Sequence, residues 1–331
     1  MGKLTNFVEV TGRLYEADLK IYDAKPEKYM ANKKITLPNG MLFEGNRGIM
    51  GKLHIETTEG NVVEVRVDYT MAVKKKKVNG QVVKDAHGLE IFEPNPKFQT
   101  LEQIANNGLS VVKGDEFPTN IQVRTAMTTN DFVDQEGNIA SPMVIAIGTF
   151  NGNVNIIPQV KEAKAEFKVD LVFGAVQDVL DKDGIPKDDE KYITGLVFDF
   201  FDNMYPVRLK IKNPKGIDFF MGLEKGDTLN VWGEYISEKI KKETVTQSAF
   251  GEDLIQVSEF TRREVLLKGA NPNLFDDDKA PTPEFISQAN QNRQLKLAEI
   301  KAQAEQRKQQ QAAPRISQPQ APASTPSRFD F

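Results

Sequence analysis

The chain has 331 residues, a formal net charge of −4, no cysteine and two histidines. Its length is enough for two ordinary domains and a tail, because single hydrophobic cores usually stop growing at about 250–300 residues. The lack of cysteine excludes disulfides, cysteine nucleophiles, zinc fingers and iron–sulfur sites. Two histidines are too few for most histidine-based metal sites, so we expect neither a metal nor a cofactor.

The hydrophobic pattern does not favour a membrane protein. No stretch approaches the roughly 20 apolar residues that span a bilayer, and the N-terminal residues lack the apolar core of a signal peptide. We therefore expect a soluble intracellular protein without a membrane partner. The mildly acidic net charge does not by itself indicate a nucleic-acid ligand, but an acidic remainder can coexist with a basic groove.

A first unit is predicted over residues 1–160. It opens with a strand over 7–15, interrupted by Gly12, as is typical of a bend at a barrel corner. A ribbon over 73–83 is predicted to turn at Asn79-Gly80, a strong hairpin signal. The remaining predicted elements are strands over 52–56 and 63–69, a helix over 98–107, and extended segments over 117–133 and 142–157.

A second unit is predicted over residues 161–268 and resembles the first in outline. The triplet Lys-Gly-Asp at 113–115 recurs at 225–227, and each copy follows a Gly-Leu pair and opens an extended stretch. The chain is therefore predicted to contain two related units in tandem. The predicted elements of the second unit are strands near 166–180, 191–201 and 204–212, a helix near 217–223, and strands near 228–241 and 253–267.

Residues 269–331 differ in composition and are predicted to form a linker, a helix and a disordered tail. Thr282 as cap and Pro283 at the first helical position predict a helix that runs to about residue 311. Its thin apolar stripe predicts that this helix is solvated or needs a partner. From residue 312 onward the Pro, Ser and Gln content indicates disorder.

One strand of the second unit has cations in alternate positions. Arg208, Lys210 and Lys212 alternate with aliphatic residues, so a period of two places all three cations on one face. We interpret them as phosphate contacts for a nucleic acid. The alternative is an ordinary solvated strand face.

Aromatic residues near these cations support the nucleic-acid interpretation. Trp232 and Tyr235 follow on a neighbouring strand, and bases that stack on such rings gain about 1–3 kcal/mol each. The alternative for Trp232 is a core position, since large aromatics are usually well buried. Phe198 and Phe200 are predicted to lie in the core more readily than Trp232.

Further candidates for phosphate contacts lie in the first unit, on the polar phase of their local alternation. They are Arg47, Lys52, His54, Arg66 and Arg124. The densest cation run lies beside the predicted hairpin turn and consists of Lys74, Lys75, Lys76 and Lys77. A projecting basic hairpin is suited to clamp a phosphate backbone, although lysines also serve to protect an exposed edge strand.

The segment 225–235, with its Lys-Gly-Asp turn entering a strand, resembles the entry to the fourth strand of an OB-fold. Together with the parallel segment 113–137 and the tail end 328–331, it resembles the single-stranded DNA-binding proteins of tailed bacteriophages. This resemblance implies a mainly β protein with two OB-fold-like five-stranded barrels. It also implies a non-enzymatic protein that coats single-stranded DNA during phage replication or recombination, in the cytoplasm of the infected bacterial host.

The same resemblance implies a role for the C-terminus. Related bacterial proteins end in an acidic stretch that closes on phenylalanine and docks into replication and repair partners. Here Phe329, Asp330 and Phe331 are the candidate partner-binding residues, while Arg328 stands where another acid is expected. Two alternatives differ in class: a phage structural or protein-interaction module that binds no nucleic acid, and an enzyme with an accessory barrel, which the lack of a recognisable catalytic domain disfavours.

Overall fold

A computed structural model describes residues 4–23, 34–36, 42–44, 47–88, 90–149, 151–246, 250, 254–276 and 280–312. This part of the chain is mainly β, with twenty strands and three helices. None of its helices is long and apolar enough to cross a membrane.

The elements that precede residue 160 are short strands around a few long ones. They are β1 (Asn6–Asp23), β2 (Lys34–Thr36), β3 (Leu42–Glu44), β4 (Arg47–Thr58), β5 (Asn61–Met71), β6 (Val73–Lys75), β7 (Lys77–Val78), β8 (Gln81–Val82), β9 (Phe92–Pro94), α1 (Pro96–Asn107), β10 (Asn120–Thr125), β11 (Met127–Thr129), β12 (Phe132–Val133), β13 (Ile139–Ala140), β14 (Met143–Ile147) and β15 (Asn153–Ile156).

The remaining elements are longer. They are β16 (Lys164–Leu180), β17 (Pro186–Phe198), β18 (Met204–Ile211), α2 (Pro214–Met221), β19 (Thr228–Thr246), β20 (Leu254–Ala270) and α3 (Pro283–Ala312).

In the first half of the chain the strand pairings form a series that begins and ends at β1. β1 pairs with β4, β4 with β5, and β5 lies parallel to β14. β14 then pairs with β11, and β10, which precedes β11 directly, pairs with β1. Helix α1 is buried against this ring through Phe98, Leu101 and Ile104. The i, i+3, i+6 spacing of these three residues explains why this segment is an amphipathic helix.

The second half repeats the same order of pairing. β16 pairs with β17, β17 with β18, and β18 lies parallel to β20. β20 pairs with β19, which pairs with β16. In both halves, therefore, one of these pairs is parallel, β5 with β14 in the first half and β18 with β20 in the second. The other pairs named here are antiparallel.

The two Lys-Gly-Asp turns have similar local structures. Gly114 and Gly226 both have positive φ angles, of 76° and 104°, which glycine adopts without steric cost. The aspartate that follows each glycine accepts a backbone N–H from the preceding turn, Ser110 for Asp115 and Glu224 for Asp227. The sequence repeat thus corresponds to a structural repeat at the entry to β10 and β19.

The two halves join through an antiparallel pairing of β1 with β16, in which Val8 lies opposite Phe167. This pairing merges the long strands into one twelve-stranded sheet. The buried side chains of both halves form one contiguous core, which includes Val10 and Leu53 from the first half and Val169 and Leu209 from the second.

Most predicted elements are confirmed, and the differences have local causes. The hairpin at Asn79-Gly80 is present between β7 and β8, with φ angles of 52° and 82° as a two-residue hairpin turn requires. The predicted extended segment 117–133 is divided into β10, β11 and β12, because its middle part changes partner from β1 to β14. The predicted segment 142–157 is likewise divided into β14 and β15.

The N-terminal part of helix α3 packs against the sheet. The ring of Phe285 lies 5.1 Å from that of Phe198, and Ala289 is buried beside it. One turn further, Arg293 donates to Asp131 of the first half at 2.9 Å and to the Met204 carbonyl of the second half at 3.3 Å. The helix therefore has a partner along the face that these residues share.

Candidate nucleic-acid interface

An open cleft of about 290 Å³ lies where the two halves meet; we call it the central cleft. Its walls come from β5 and β14 of the first half and from β17, β18, β19 and β20 of the second. Along each of these strands, outward-facing side chains alternate with core side chains. Polar residues from the outward-facing positions therefore point into the cleft. The cations that line it are Arg66, Arg208, Lys210 and Arg263.

Arg208 is the cation of the cleft that is most available to a ligand. Its guanidinium carbon lies 3.7 Å from the centre of the Tyr192 ring, in a cation–π contact. The arginine is exposed, and no carboxylate within the described residues lies at ion-pair distance from it. The cleft therefore contains a guanidinium with an uncompensated charge, beside a partly exposed aromatic ring.

Lys210 and Lys212 share the strand face of Arg208, as predicted, but two carboxylates compensate their charges. The ammonium group of Lys210 lies 2.9 Å from Glu190 and 2.8 Å from Glu264, and that of Lys212 lies 3.3 Å from each of them. Lys210 is only 8% exposed. These two lysines thus take part in a compact ion-pair network that stabilises the sheet.

The same network shifts the pKa of Glu190. Burial alone raises the pKa of this carboxyl, but the hydrogen bonds and charges of Lys210 and Lys212 outweigh burial and hold the pKa at about 2. Glu190 is therefore ionised at neutral pH.

Three further cations, at or beside the cleft, have partly exposed acidic partners. Arg66 lies 2.7 Å from Asp68, and Arg263 of β20 lies 3.3 Å from Glu64. Lys52 flanks the cleft and lies 3.1 Å from Glu64. A pair of two exposed side chains such as Arg66–Asp68 is worth about 0–1 kcal/mol, so a phosphate group can replace Asp68 at little cost. Glu64 is less exposed and is shared by Lys52 and Arg263.

His54 and Tyr235 lie near the cleft in constrained positions. The imidazole of His54 lies between Glu16 and Glu64, at 3.6 and 3.7 Å. Tyr235 is 8% exposed, and its ring packs edge-on against Phe167 at 5.8 Å. Burial raises the pKa of the Tyr235 hydroxyl, which has no hydrogen-bond partner within the described residues. Tyr235 thus contributes its ring to the core and has little surface for a base.

Several predicted residues lie away from the central cleft. Arg124 on β10 lies 2.8 Å from Glu9. In the basic run, Lys74 pairs with Glu93 and Lys75 with Glu90, whereas Lys76 and Lys77 are exposed on the hairpin. The candidate tail residues Phe329, Asp330 and Phe331 lie outside the described part of the chain.

Of the two phenylalanines that were predicted to lie in the core, one is buried and the other is exposed. Phe198 is buried, at 1% exposure, as expected. The prediction for Phe200 is wrong, because β17 ends at Phe198 and a turn built on Asp199 carries Phe200 into solvent, where it is 68% exposed. Trp232 is 42% exposed on the outer face of β19 and does not occupy a core position.

Sequence reasoning missed Tyr192 and Arg263. Tyr192 lies directly opposite Lys210 on the neighbouring strand and therefore diagonal to Arg208. Tyr192 occupies one of the alternating outward positions of β17, so its exposure on this face could have been recognised from the sequence. No group of three or more histidine or acidic residues in the described ranges is arranged to hold a metal ion.

Comparisons with known proteins identify the family. A family model described as YorF matches residues 11–303, which is most of the chain, so the protein belongs to the YorF family. No curated protein matches the sequence. Among solved structures, a deletion mutant of the single-stranded DNA binding protein from Thermus aquaticus is similar, with a TM-score of 0.40 and 12% identity over 86% of this chain and 100% of that one. The wild-type form gives a TM-score of 0.38 and 10% identity over 84% and 98%.

Proposed function

We propose that the protein binds single-stranded DNA in the central cleft and catalyses no reaction. The observation that carries this proposal is the Arg208–Tyr192 pair, an uncompensated guanidinium held over an aromatic ring. Arg66 and Arg263 lie in the same cleft. Single-strand binders combine cations that contact phosphates with rings on which bases stack.

The arrangement suits an unpaired strand better than a duplex. A base can stack on a ring such as Tyr192 only when its own face is free, and in a duplex both faces are covered by neighbouring base pairs. The cations that line the cleft come from three strands, Arg66 from β5, Arg208 from β18 and Arg263 from β20, and one phosphate backbone that runs through the cleft can contact them in turn.

We also propose that each ring of strands is an OB-fold barrel, over residues 1–160 and 161–268, followed by the helix and tail of 269–331. The order of pairing supports this, since an OB-fold is a five-stranded Greek-key barrel. Such barrels bind oligonucleotides on their second and third strands. Here the corresponding pairs are β4 with β5 and β17 with β18, which carry Lys52, Arg66, Tyr192 and Arg208.

The biological role that we propose is the coating of single-stranded DNA during phage replication or recombination, in the cytoplasm of an infected bacterium. The resemblance of segments 113–137 and 225–235 to phage single-stranded DNA-binding proteins supports it. The terminal Phe329, Asp330 and Phe331 are proposed to bind a replication or recombination protein, because exposed rings are frequent anchors at interfaces.

The proposal is tested by comparing Arg208→Ala with Arg307→Ala, which removes an exposed arginine from the distal part of α3. We expect Arg208→Ala to weaken the affinity for oligo-dT by about 5- to 150-fold, because it loses a phosphate contact and the pre-ordering of Tyr192. The slope of log K against log salt should fall by about 0.7. Fluorescence anisotropy of labelled oligo-dT measures both.

Three results would contradict the proposal: no binding of oligo-dT by the wild type at low salt, equal affinities of the two variants, or tighter binding of a duplex of the same length. A parallel titration with oligo-rU determines whether RNA binds in the same cleft.

A further inference from the structure

Three residues lie directly opposite one another on neighbouring strands at the junction of the two halves. Phe7 of β1 faces Lys168 of β16, and Lys168 faces Trp232 of β19. Residues in opposite positions of antiparallel strands point to the same side of the sheet, so the three form a row, which we call the seam row. The backbone positions of its two aromatic residues lie about 10 Å apart, since neighbouring strands are separated by about 4.8 Å.

Both rings of the seam row face solvent. Phe7 is 40% exposed and Trp232 is 42% exposed, while the ring of Phe167 beneath them is buried. The core therefore does not use these two rings. Exposed aromatic rings next to each other on a sheet face indicate a contact surface.

The indole of Trp232 has a fixed support. Trp232 lies opposite Gly269 on β20, and a Cβ atom built on that glycine would lie 2.5 Å from Cζ2 of the indole. The ring thus rests against the glycine backbone, in space that any other residue would fill. A ring held in this way loses little conformational entropy when a ligand stacks on it.

Among the charged residues around the seam row, Lys168 is the cation without an ion-pair partner in the described part of the chain. Lys168 is exposed, and no carboxylate within the described residues lies at ion-pair distance from it. The neighbouring acids have lysine partners: Glu234 lies 2.7 Å from Lys268, and Glu9 lies 3.0 Å from Lys164. An uncompensated ammonium group therefore lies between two exposed rings.

We propose that the seam row is a second contact site for single-stranded DNA, in which Phe7 and Trp232 stack bases and Lys168 contacts the phosphate between them. This inference rests on the proposed function of the central cleft. Trp232 and Ile236 of the cleft wall lie four residues apart on β19, a distance of about 13 Å. One DNA strand can therefore occupy both sites.

The seam row requires both halves of the protein, because Phe7 belongs to the first half and the other two residues belong to the second. DNA bound there contacts both sides of the β1–β16 junction. Neither half alone contains the complete site.

The single tryptophan of the chain makes the test specific, because its fluorescence reports on the seam row alone. We expect oligo-dT to quench this fluorescence at saturation. Phe7→Ala should weaken oligo-dT binding by about 5-fold or more. Lys168→Ala, an exposed substitution that the fold tolerates, should lower the salt slope by about 0.7. Trp232→Phe should retain most of the affinity that Trp232→Ala loses.

Matched controls are Phe117→Ala, which removes a ring that is 74% exposed elsewhere, and Lys182→Ala in the β16–β17 turn. The inference is overturned if oligo-dT causes no quenching and the Phe7 and Lys168 variants bind like these controls while Arg208→Ala binds more weakly. In that case the central cleft alone binds DNA, and the seam row becomes a candidate protein contact. If the wild type binds no oligo-dT, the proposed function itself fails.

Discussion

Arg208 and Lys210 lie two residues apart on the same strand face, but their surroundings give them different roles. Lys210 is buried between Glu190 and Glu264, and Arg208 is exposed over Tyr192. The alternation of residues in β18 predicts the shared face correctly. It does not predict the charge compensation, because Glu264 comes from β20, 54 residues further along the chain, while Glu190 comes from β17 on the other side of β18.

The network around Lys210 predicts a pH-dependent contribution of Glu190 to stability. The folded-state pKa of Glu190, about 2, lies below its ordinary value of 4.5. The stabilisation is therefore complete above about pH 4.5 and is lost as the pH falls toward 2. We expect Glu190→Gln to lower the free energy of unfolding at pH 7 by about 1–3 kcal/mol, since Lys210 keeps Glu264 as a partner.

Urea denaturation at pH 7 and pH 3.5 measures this effect, with the exposed Glu162→Gln as the control. The difference between the Glu190 variant and the wild type should shrink at the lower pH. A difference that stays constant between the two pH values, or grows at pH 3.5, would show that the ionised carboxylate of Glu190 does not stabilise the fold.

Helix α3 shows what the sequence predicts of an element and what it does not. The Thr282-Pro283 start is confirmed, and the Phe285 N–H donates to the Thr282 hydroxyl at 3.2 Å. The contact lies on the same face of the helix as the thin apolar stripe, which consists of Leu297, Ile300 and Ala304, but nearer the N-terminus, and these three residues are only partly buried. What the sequence does not predict is the buried Arg293 on this face, whose ion-pair partner is a carboxylate 162 residues away.

Breaking the Arg293–Asp131 pair should release this helix. The two side chains are 7% and 3% exposed, so Arg293→Met leaves a buried carboxylate without its partner. Loss of one member of a buried ion pair typically costs about 3–5 kcal/mol. We expect a loss of this size in urea denaturation, or earlier proteolytic cleavage within α3.

Arg307→Met is the matched control, because Arg307 is exposed on the same helix. If Arg293→Met and Arg307→Met have equal free energies of unfolding and equal protease resistance, the ion pair does not hold the helix in place.

At the scale of elements, the strands of the second half agree best with the sequence. β16, β18 and β20 lie within a few residues of their predicted ends, although β16 contains five consecutive buried residues, 169–173, and a bulge between Phe173 and Ala175. The first half agrees less well, since several of its strands change partners along their length. The contact of the Trp232 indole with Gly269 could not be predicted from the sequence, because the two residues lie opposite each other only through the register of β19 with β20.

At the scale of the whole molecule, we propose that DNA binding and partner binding use different parts of the chain. The cleft and the seam row use residues of both halves, whereas the polar composition of the C-terminal tail predicts that it buries too little apolar surface to fold alone. We expect removal of residues 312–331 to leave the melting temperature and the oligo-dT affinity nearly unchanged. The truncated protein should fail to capture a replication or recombination protein from infected cells.

A substitution of Phe329 and Phe331 by alanine is the control that keeps the length of the tail, and it should lose the same partner. If the truncated protein loses oligo-dT affinity, or if it still captures every partner of the full-length chain, this division of roles is contradicted.

The central claim is that single-stranded DNA occupies the cleft between the two halves. Ultraviolet cross-linking of oligo-dT to the full-length protein, followed by mass spectrometry of the peptides, tests this claim most directly. We expect a cross-link on the peptide that contains Tyr192, in the cleft, together with one at Trp232 if the strand also occupies the seam row, and the loss of both when an excess of competing oligo-dT is present. Cross-links confined to the Lys74–Lys77 hairpin or to the C-terminal tail, with none on the strands of the cleft, would contradict it.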